Sequence, residues 1–183
     1  MCYEQKCKML KILLVFSIVF ILFFAVLFIF INNPSQDKSI LVATATSGDN
    51  TQVGNAIINF GQNQIVEGDA LSHTLGSSEI LINRDGIYQI SYQLTGVAQN
   101  TGTFNFNAIL LVNGTPINET LNEGPVLDSD IINNRYTLTS TVILRLNAGD
   151  VLQLGGLSLE DVEYENARID IESLLFLLID CKI

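Results

Sequence analysis

Hydrophobic and polar residues follow two different patterns along this chain. Residues 12–31 form an apolar run of twenty residues without a charged side chain, whereas the remainder alternates in short segments. A helix rises about 1.5 Å per residue, so such a run spans about 30 Å, the thickness of the hydrocarbon core of a bilayer. The pattern therefore predicts one transmembrane helix, a linker of residues 32–38 and one folded domain of residues 39–183.

Charges beside the apolar run predict its orientation. The first eleven residues carry Lys6, Lys8 and Lys11 against Glu4. Positive residues flanking a span stay in the cytoplasm, which favours a single-pass type II protein with cytoplasmic residues 1–11 and an extracellular C-terminal domain. The alternative is a secretory signal peptide, but its apolar region is about 7–15 residues and ends in a small-x-small cleavage site. No such site follows this longer run, so we expect an uncleaved anchor.

Beyond the linker, the period of two is that of antiparallel β-strands. In residues 87–94, for example, Tyr88, Ile90, Tyr92 and Leu94 fall on one face and polar residues on the other. Strands are predicted at residues 40–46, 56–60, 78–83, 87–94, 104–112, 136–146, 151–157 and 167–179, with a loop at 61–68. Asp85-Gly86 predicts a hairpin turn, because such turns need positive φ. Eight to ten strands of this kind predict an all-β antiparallel sandwich or jelly roll.

Two predicted strands break the alternation because they are apolar on both faces. They are residues 108–112 and 174–179. In a two-sheet sandwich their outer faces would expose a large apolar patch, which soluble monomers seldom tolerate. Either a loop of the same chain covers the patch or another copy of the chain does. The pattern favours the second interpretation, an oligomer.

Charge and composition narrow the classes of partner. After Lys38 the chain has five Lys and Arg against seventeen Asp and Glu, a net charge of −12 for the domain. Nucleic acid and anionic lipid are therefore poor candidate partners of the domain. The chain has no Trp and one His, which argues against a catalytic surface.

The candidate sites for chemistry are few. His73 has no Ser/His/Asp arrangement and no zinc-ligand spacing around it, which favours a surface loop residue. The acidic residues 160–165, with Asp128 and Asp130, offer oxygen ligands for calcium, but an acidic run is more often a solvated face. We predict no catalytic residue, no metal site and no cofactor. Asn113 and Asn118 begin Asn-x-Thr glycosylation acceptors, and Asn113-Gly114 is equally well explained as a turn.

Three motifs in order carry a family resemblance. They are Gly-x-Tyr-x-Ile-Ser-Tyr at 86–92, Leu-x-Asn-Gly at 111–114 and Leu-x-Ala-Gly-Asp at 146–150. The stretch from about residue 57 to residue 179 resembles the tumour necrosis factor-like jelly roll. It is most similar to the C-terminal domain of bacterial collagen-like exosporium glycoproteins of the BclA type. More loosely, it resembles the globular heads of complement proteins.

The resemblance implies a homotrimer whose inner sheets pack around a three-fold axis, without a catalytic centre. The predicted trimer interface consists of Tyr88, Tyr92, Leu111, Leu174, Phe176 and Leu178. Collagen-like members carry a Gly-x-y stalk before this domain, whereas here the predicted membrane helix takes that place.

These observations predict a membrane-anchored homotrimer displayed on a cell or spore surface. It would be a structural, coat or interaction protein without catalytic activity. The alternative is a trimeric receptor-binding ligand or adhesin. A jelly-roll enzyme or lectin ranks last, because no cluster of titratable residues lies on adjacent strands. The expected partners are further copies of the chain, the lipid bilayer, and a surface receptor or glycan.

Overall fold

The computed structural model describes residues 17–24, 38–46, 54–129 and 134–174. The chain divides into two compact units, Met1–Asp37 and Lys38–Ile183. In the first unit, residues 17–24 are helical and their apolar side chains are exposed. Within these described ranges, no helix has the length and apolar character needed to cross a membrane. Most of the predicted span, residues 12–31, lies outside the described residues.

The second unit is built from antiparallel strands. In chain order they are β1 (Ile40–Ala45), β2 (Ala56–Ile57), β3 (Gln62–Glu67), β4 (Leu71–His73), β5 (Ile80–Ile82), β6 (Gly86–Ala98), β7 (Gly102–Phe104), β8 (Asn107–Val112), β9 (Thr115–Pro116), β10 (Asn122–Glu123), β11 (Leu127–Ser129), β12 (Arg135–Leu146), β13 (Val151–Leu157) and β14 (Val162–Leu174). A short 3-10 helix, Asn118–Thr120, lies between β9 and β10.

Most of these strands form two sheets around one core. The five-stranded sheet has the order β12-β6-β14-β1-β3. The seven-stranded sheet has the order β10-β8-β13-β5-β4, with β2 added to β13 and β9 to β8, and β11 pairs with β7 separately. Buried residues of both sheets form one hydrophobic cluster, for example Ile90 and Ile169 from the first and Leu110 and Leu152 from the second. The predicted antiparallel sandwich is confirmed.

The alternation predicted for β6 is also confirmed. Tyr88, Ile90, Tyr92 and Leu94 are buried in the core, whereas Gln89 and Gln93 are exposed on the outer face. The long strand β12 follows the same rule, with Leu138 and Leu146 buried and the intervening threonines exposed. β12 pairs with β6 on one side only, so it is an edge of the five-stranded sheet.

Two local predictions are wrong. Residues 62–67 form strand β3 rather than a loop, and β3 is the other edge of the five-stranded sheet. Asp85-Gly86 does not close a hairpin, because β5 belongs to the seven-stranded sheet and β6 to the five-stranded one. The chain crosses between the two sheets there. The Asp85 carboxylate accepts a 2.7 Å hydrogen bond from the N–H of Ala148, which lies in another crossing, between β12 and β13.

The doubly apolar strand β8 is buried by its own chain. Ile109 and Leu111 on its outer face are 3% and 8% exposed. Gly155 of β13 lies directly beside Ile109 in register, and a Cβ at Gly155 would lie 3.0 Å from Leu111 Cδ1. Because glycine has no side chain, the side chains of β8 fold over that gap. The burial of Leu111 therefore does not require another copy of the chain.

A second close approach holds an aromatic cluster inside the sandwich. The rings of Phe106 and Tyr164 pack edge to face at 5.8 Å between centroids. A Cβ at Gly156 would lie less than 3.0 Å from the Tyr164 ring, so only glycine fits at that position. The Tyr164 hydroxyl donates a 2.8 Å hydrogen bond to the Gly54 carbonyl, and burial raises the pKa of this phenol.

Candidate functional site

Two of the predicted interface residues lie inside the protomer. Tyr88 and Tyr92 are each 1% exposed and belong to the core cluster. The Tyr88 hydroxyl donates to the Arg84 carbonyl at 2.6 Å, and the Tyr92 hydroxyl donates to the Thr120 carbonyl. Burial raises the pKa of both phenols. Their side chains are thus engaged within one chain and face away from the outer surface.

Of the other four predicted interface residues, the structure describes two, and these two lie on different sheets. Leu111 lies on the outer face of the seven-stranded sheet. Leu174 ends β14 and lies opposite Ile87 in register, on the outer face of the five-stranded sheet. Phe176 and Leu178 lie outside the described residues. The six residues therefore do not form one patch as far as the structure describes them, and the trimer interface stays a prediction.

The outer face of the five-stranded sheet has an apolar corner formed by Ile87, Ile143 and Leu174. Leu174 pairs with Ile87 across β14 and β6, and Ile143 pairs with Gln89 on the next rung of β12 and β6. Side chains in direct register point to the same side of a sheet, so the three residues share this face. Ile143 is 61% exposed, Ile87 and Leu174 are partly exposed, and Arg145 lies opposite Ile87 on β12.

Hydroxyl groups form the middle of the same face. Ser91 Oγ and Thr141 Oγ1 are 2.9 Å apart, and Thr95 Oγ1 and Thr137 Oγ1 are also 2.9 Å apart. Each pair links β6 to β12 across the sheet. A hydroxyl that already has a protein partner loses less free energy when water is removed from it. One hydroxyl of each pair is therefore satisfied as a donor, and the O–H of the other can donate to an acceptor on a covering surface.

Charges on β14 are paired as well. Arg168 Nε lies 2.9 and 3.0 Å from the two carboxylate oxygens of Asp170, and Lys38 Nζ lies 2.7 Å from Glu172 Oε1. Such exposed ion pairs add little to folding stability. Their effect is on the local charge of this face, because they neutralise two carboxylates of β14 in a domain whose net charge is −12.

The other sequence candidates have structural explanations. His73 lies at the end of β4 rather than in a loop, with Nδ1 2.6 Å from Asn63 Oδ1 and Nε2 3.0 Å from the Ser77 carbonyl. Within the acidic run, Val162–Glu165 belongs to β14. In the part of the chain that the structure describes, no group of three or more His, Cys, Asp or Glu side chains is placed to hold a metal ion. Asp130 lies outside that part.

The turn at Asn113 is a structural feature. Asn113 and Gly114 have φ angles of 53° and 74°, as the predicted turn between β8 and β9 requires. Asn113 Nδ2 donates to Asp150 Oδ1 at 2.8 Å, and Asp150 also accepts from the Asn147 backbone N–H at 2.8 Å. The Asn147 bond first, and then the Asn113 bond, lower the pKa of Asp150. In the second glycosylation acceptor, the buried Thr120 hydroxyl donates to the Ile117 carbonyl at 2.7 Å.

Sequence reasoning missed Ile87 and Ile143 as surface residues. The signal was present in β12, where Ile143 interrupts the exposed series Thr137, Thr139 and Thr141. An isoleucine on the hydroxyl-bearing face of a strand breaks the alternation that otherwise places apolar residues inside.

Comparison with known proteins supports the fold. No protein-family model and no curated protein matches the sequence. Among solved structures, murine APRIL is similar with a TM-score of 0.53 and 12% identity, over 75% of this chain and 100% of that one. The globular domain of the zebrafish complement 1qA protein is similar with a TM-score of 0.51 and 10% identity, over 76% of this chain and 98% of that one. Together with the two antiparallel sheets, these likenesses show that the domain has the same fold as those proteins, a jelly roll like that of tumour necrosis factor.

Proposed function

We propose that this protein is a membrane-anchored, surface-displayed homotrimer that serves as a structural or interaction protein and has no catalytic activity. The copies pack through the outer faces of their five-stranded sheets. Residues 12–31 anchor each chain in the bilayer, and the jelly roll lies outside the cell. Similarity to collagen-like exosporium glycoproteins adds a spore surface as one place of display.

The observation that carries the proposal is the character of the outer face of the five-stranded sheet. It has an apolar corner in which Ile143 is exposed and Ile87 and Leu174 are partly exposed, and such apolar surface can be buried against another copy of the chain. Its central hydroxyls are paired, and Asp170 and Glu172 of β14 each have a cationic partner. A domain with net charge −12 repels its own copies, so a face with balanced charge is where copies can approach.

The anchor and its direction are supported by the sequence. The apolar run has the length of a bilayer core, and the lysines precede it. Three anchors in one particle would hold the jelly rolls together at high effective concentration, so even a modest interface would assemble.

The mass of the full chain in solution tests the assembly. In a mild detergent, light scattering corrected for bound detergent should give three copies of the 20.1 kDa chain at micromolar concentration. A particle containing one copy would contradict the homotrimer.

Thiol labelling of intact cells tests the orientation. Cys181 follows the predicted anchor, whereas Cys2 and Cys7 precede it. A membrane-impermeant maleimide should label the native chain and should fail to label the Cys181→Ser variant. Labelling that persists in Cys181→Ser but is lost when Cys2 and Cys7 are replaced by serine would contradict the type II orientation.

A further inference from the structure

A shallow cleft on the seven-stranded sheet is lined by four asparagines. Two adjoining depressions share Asn55 and Leu157, and together they also include Asn59, Asn105 and Asn107. We call this surface the asparagine cleft. None of its lining residues is charged, although the domain as a whole is strongly acidic. The cleft lies on the sheet opposite to the apolar corner.

Hydrogen bonds to the backbone orient two of the amides. Asn55 Oδ1 accepts from the Ser158 N–H at 3.0 Å, and Asn107 Oδ1 accepts from the Gly124 N–H at 3.2 Å. A carboxamide whose oxygen is held in this way presents its NH₂ group as a donor. Among the described residues, neither NH₂ group has a protein acceptor. The cleft therefore offers oriented N–H donors to a ligand that brings acceptors.

Ser158 fixes the floor of the cleft. It is 8% exposed, and its hydroxyl donates to the Asn105 carbonyl at 2.7 Å while its N–H bonds to Asn55. One buried residue thus ties together the segments that carry two of the asparagines. A rigid site of this kind loses little conformational entropy when a ligand binds.

Aliphatic side chains stand beside the amides. Leu157 lies in register with Asn107, and Ile57 lies in register with Gly155 on the adjacent pair of strands. Both are 37% exposed, and Leu159 at the rim is 96% exposed. Apolar surface next to oriented N–H donors matches a ligand with C–H or methyl groups beside carbonyl or hydroxyl oxygens.

We propose that the asparagine cleft binds a neutral oligosaccharide carrying N-acetyl groups. The acetyl carbonyl accepts from the NH₂ groups of Asn55 and Asn107, and the acetyl methyl packs on Leu157. A sugar hydroxyl also accepts readily, because its own hydrogen can rotate toward water. Anionic glycans are disfavoured, since the lining supplies no cation and the domain has a net charge of −12. The inference rests on the proposed surface display, because glycans are presented outside cells.

Saturation-transfer NMR with tri-N-acetylchitotriose tests the site. The probe is added to the full chain in a detergent without a sugar headgroup. We expect saturation to be strongest at the acetyl methyl groups, with a Kd of about 0.1–1 mM, as is common for a shallow site. Maltotriose, which has hydroxyls but no acetyl groups, should bind at least about tenfold more weakly. Absence of saturation transfer to tri-N-acetylchitotriose, or equally strong binding of maltotriose, would overturn the proposed glycan site.

Aspartate variants locate the binding. Asn55→Asp and Asn107→Asp keep the oxygen that accepts from the backbone, replace the NH₂ donor with a second acceptor oxygen and add one negative charge. Each should weaken binding by about tenfold or more, the effect of losing one buried hydrogen bond. Asn118→Asp adds the same charge at an exposed position of the 3-10 helix and should bind as the native chain does. Unchanged binding by both cleft variants would refute this location.

Failure of this inference can be told apart from failure of the proposed function. A particle with the mass of one chain that still binds tri-N-acetylchitotriose in the cleft would refute the homotrimer and support the glycan site. A particle with the mass of three chains that transfers no saturation to tri-N-acetylchitotriose would refute the glycan site and support the homotrimer.

Discussion

The outer faces of the two sheets differ in how they treat apolar residues. On the seven-stranded sheet, the apolar residues Ile109 and Leu111 are covered by their own chain because Gly155 leaves room for them. On the five-stranded sheet, the face carries hydroxyl, amide and charged groups, yet the Ile143 side chain is 61% exposed. The comparison teaches that an apolar sequence does not identify an unpartnered face. What matters is whether neighbouring strands leave space for the side chains to fold down.

The largest effect should come from placing a charge at Leu111. Leu111→Asp buries a carboxylate without a partner, which should lower the free energy of unfolding by more than about 3 kcal/mol. Urea denaturation followed by circular dichroism measures the change. Leu81→Asp is the control, because Leu81 lies on the same sheet but is 40% exposed, and its effect should stay below about 1 kcal/mol. Equal losses in the two variants would mean that Leu111 is not covered by its own chain.

A side chain at Gly155 should have the next largest effect. Gly155→Val would push against Leu111 and Ile109, and such overpacking costs about 1–3 kcal/mol. The control Thr115→Val changes an exposed position in β9 of the same sheet and should alter stability by about 0.5 kcal/mol or less. The same denaturation series measures both. A fully stable Gly155→Val variant would contradict the explanation given for the burial of β8.

A charge at Ile143 should leave folding almost unchanged but alter the assembly. Because the side chain is 61% exposed, Ile143→Asp should change the unfolding free energy of a protomer by about 0.5 kcal/mol or less. In the proposed trimer it would bring three new carboxylates onto the contact face, so light scattering should show a smaller particle. Leu81→Asp should keep the native mass. A Ile143→Asp chain with native mass would mean that the apolar corner lies outside the interface.

The smallest effect concerns acid stability at Asp150, which joins the ends of β8 and β13. Its pKa is lowered in the folded state, so its contribution is present above the unfolded value and is lost as the pH falls through the folded one. Native chain and Asp150→Asn should therefore differ in stability at pH 7 and converge toward pH 2. Thermal melts across that range measure the difference. A difference that grows on acidification would have the wrong sign.

Much of the sandwich could be predicted because its long strands alternate. β6 and β12 each have one face in the core, so their apolar period of two is visible in the sequence. β3 was missed because Gln62–Glu67 is an exposed edge strand, and an edge with both faces wet has no apolar period. Asp85-Gly86 was misread because turn chemistry is local and does not specify which sheet the next strand joins.

The candidate sites were harder to predict. The burial of Leu111 depends on Gly155, a residue of another strand, so the sequence of β8 alone cannot reveal it. The asparagine cleft brings Asn55, Asn105 and Asn107 together from separate segments. Its lining contains no titratable group, so a lack of titratable clusters in the sequence does not bear on this cleft. Ile143 did leave a signal, as the residue that interrupts the threonine series of β12.

The edge position of β12 creates a hazard for the newly made protein. A twelve-residue strand with one neighbour offers its free backbone groups to any extended peptide, which is the template from which fibrils grow. Arg145 lies near one end of the strand, where its charge repels an identical incoming strand, whereas Arg135 at the other end is ion-paired with Glu165. Replacing Arg145 with glutamine should therefore shorten the time before the purified chain begins to deposit thioflavin-positive aggregates.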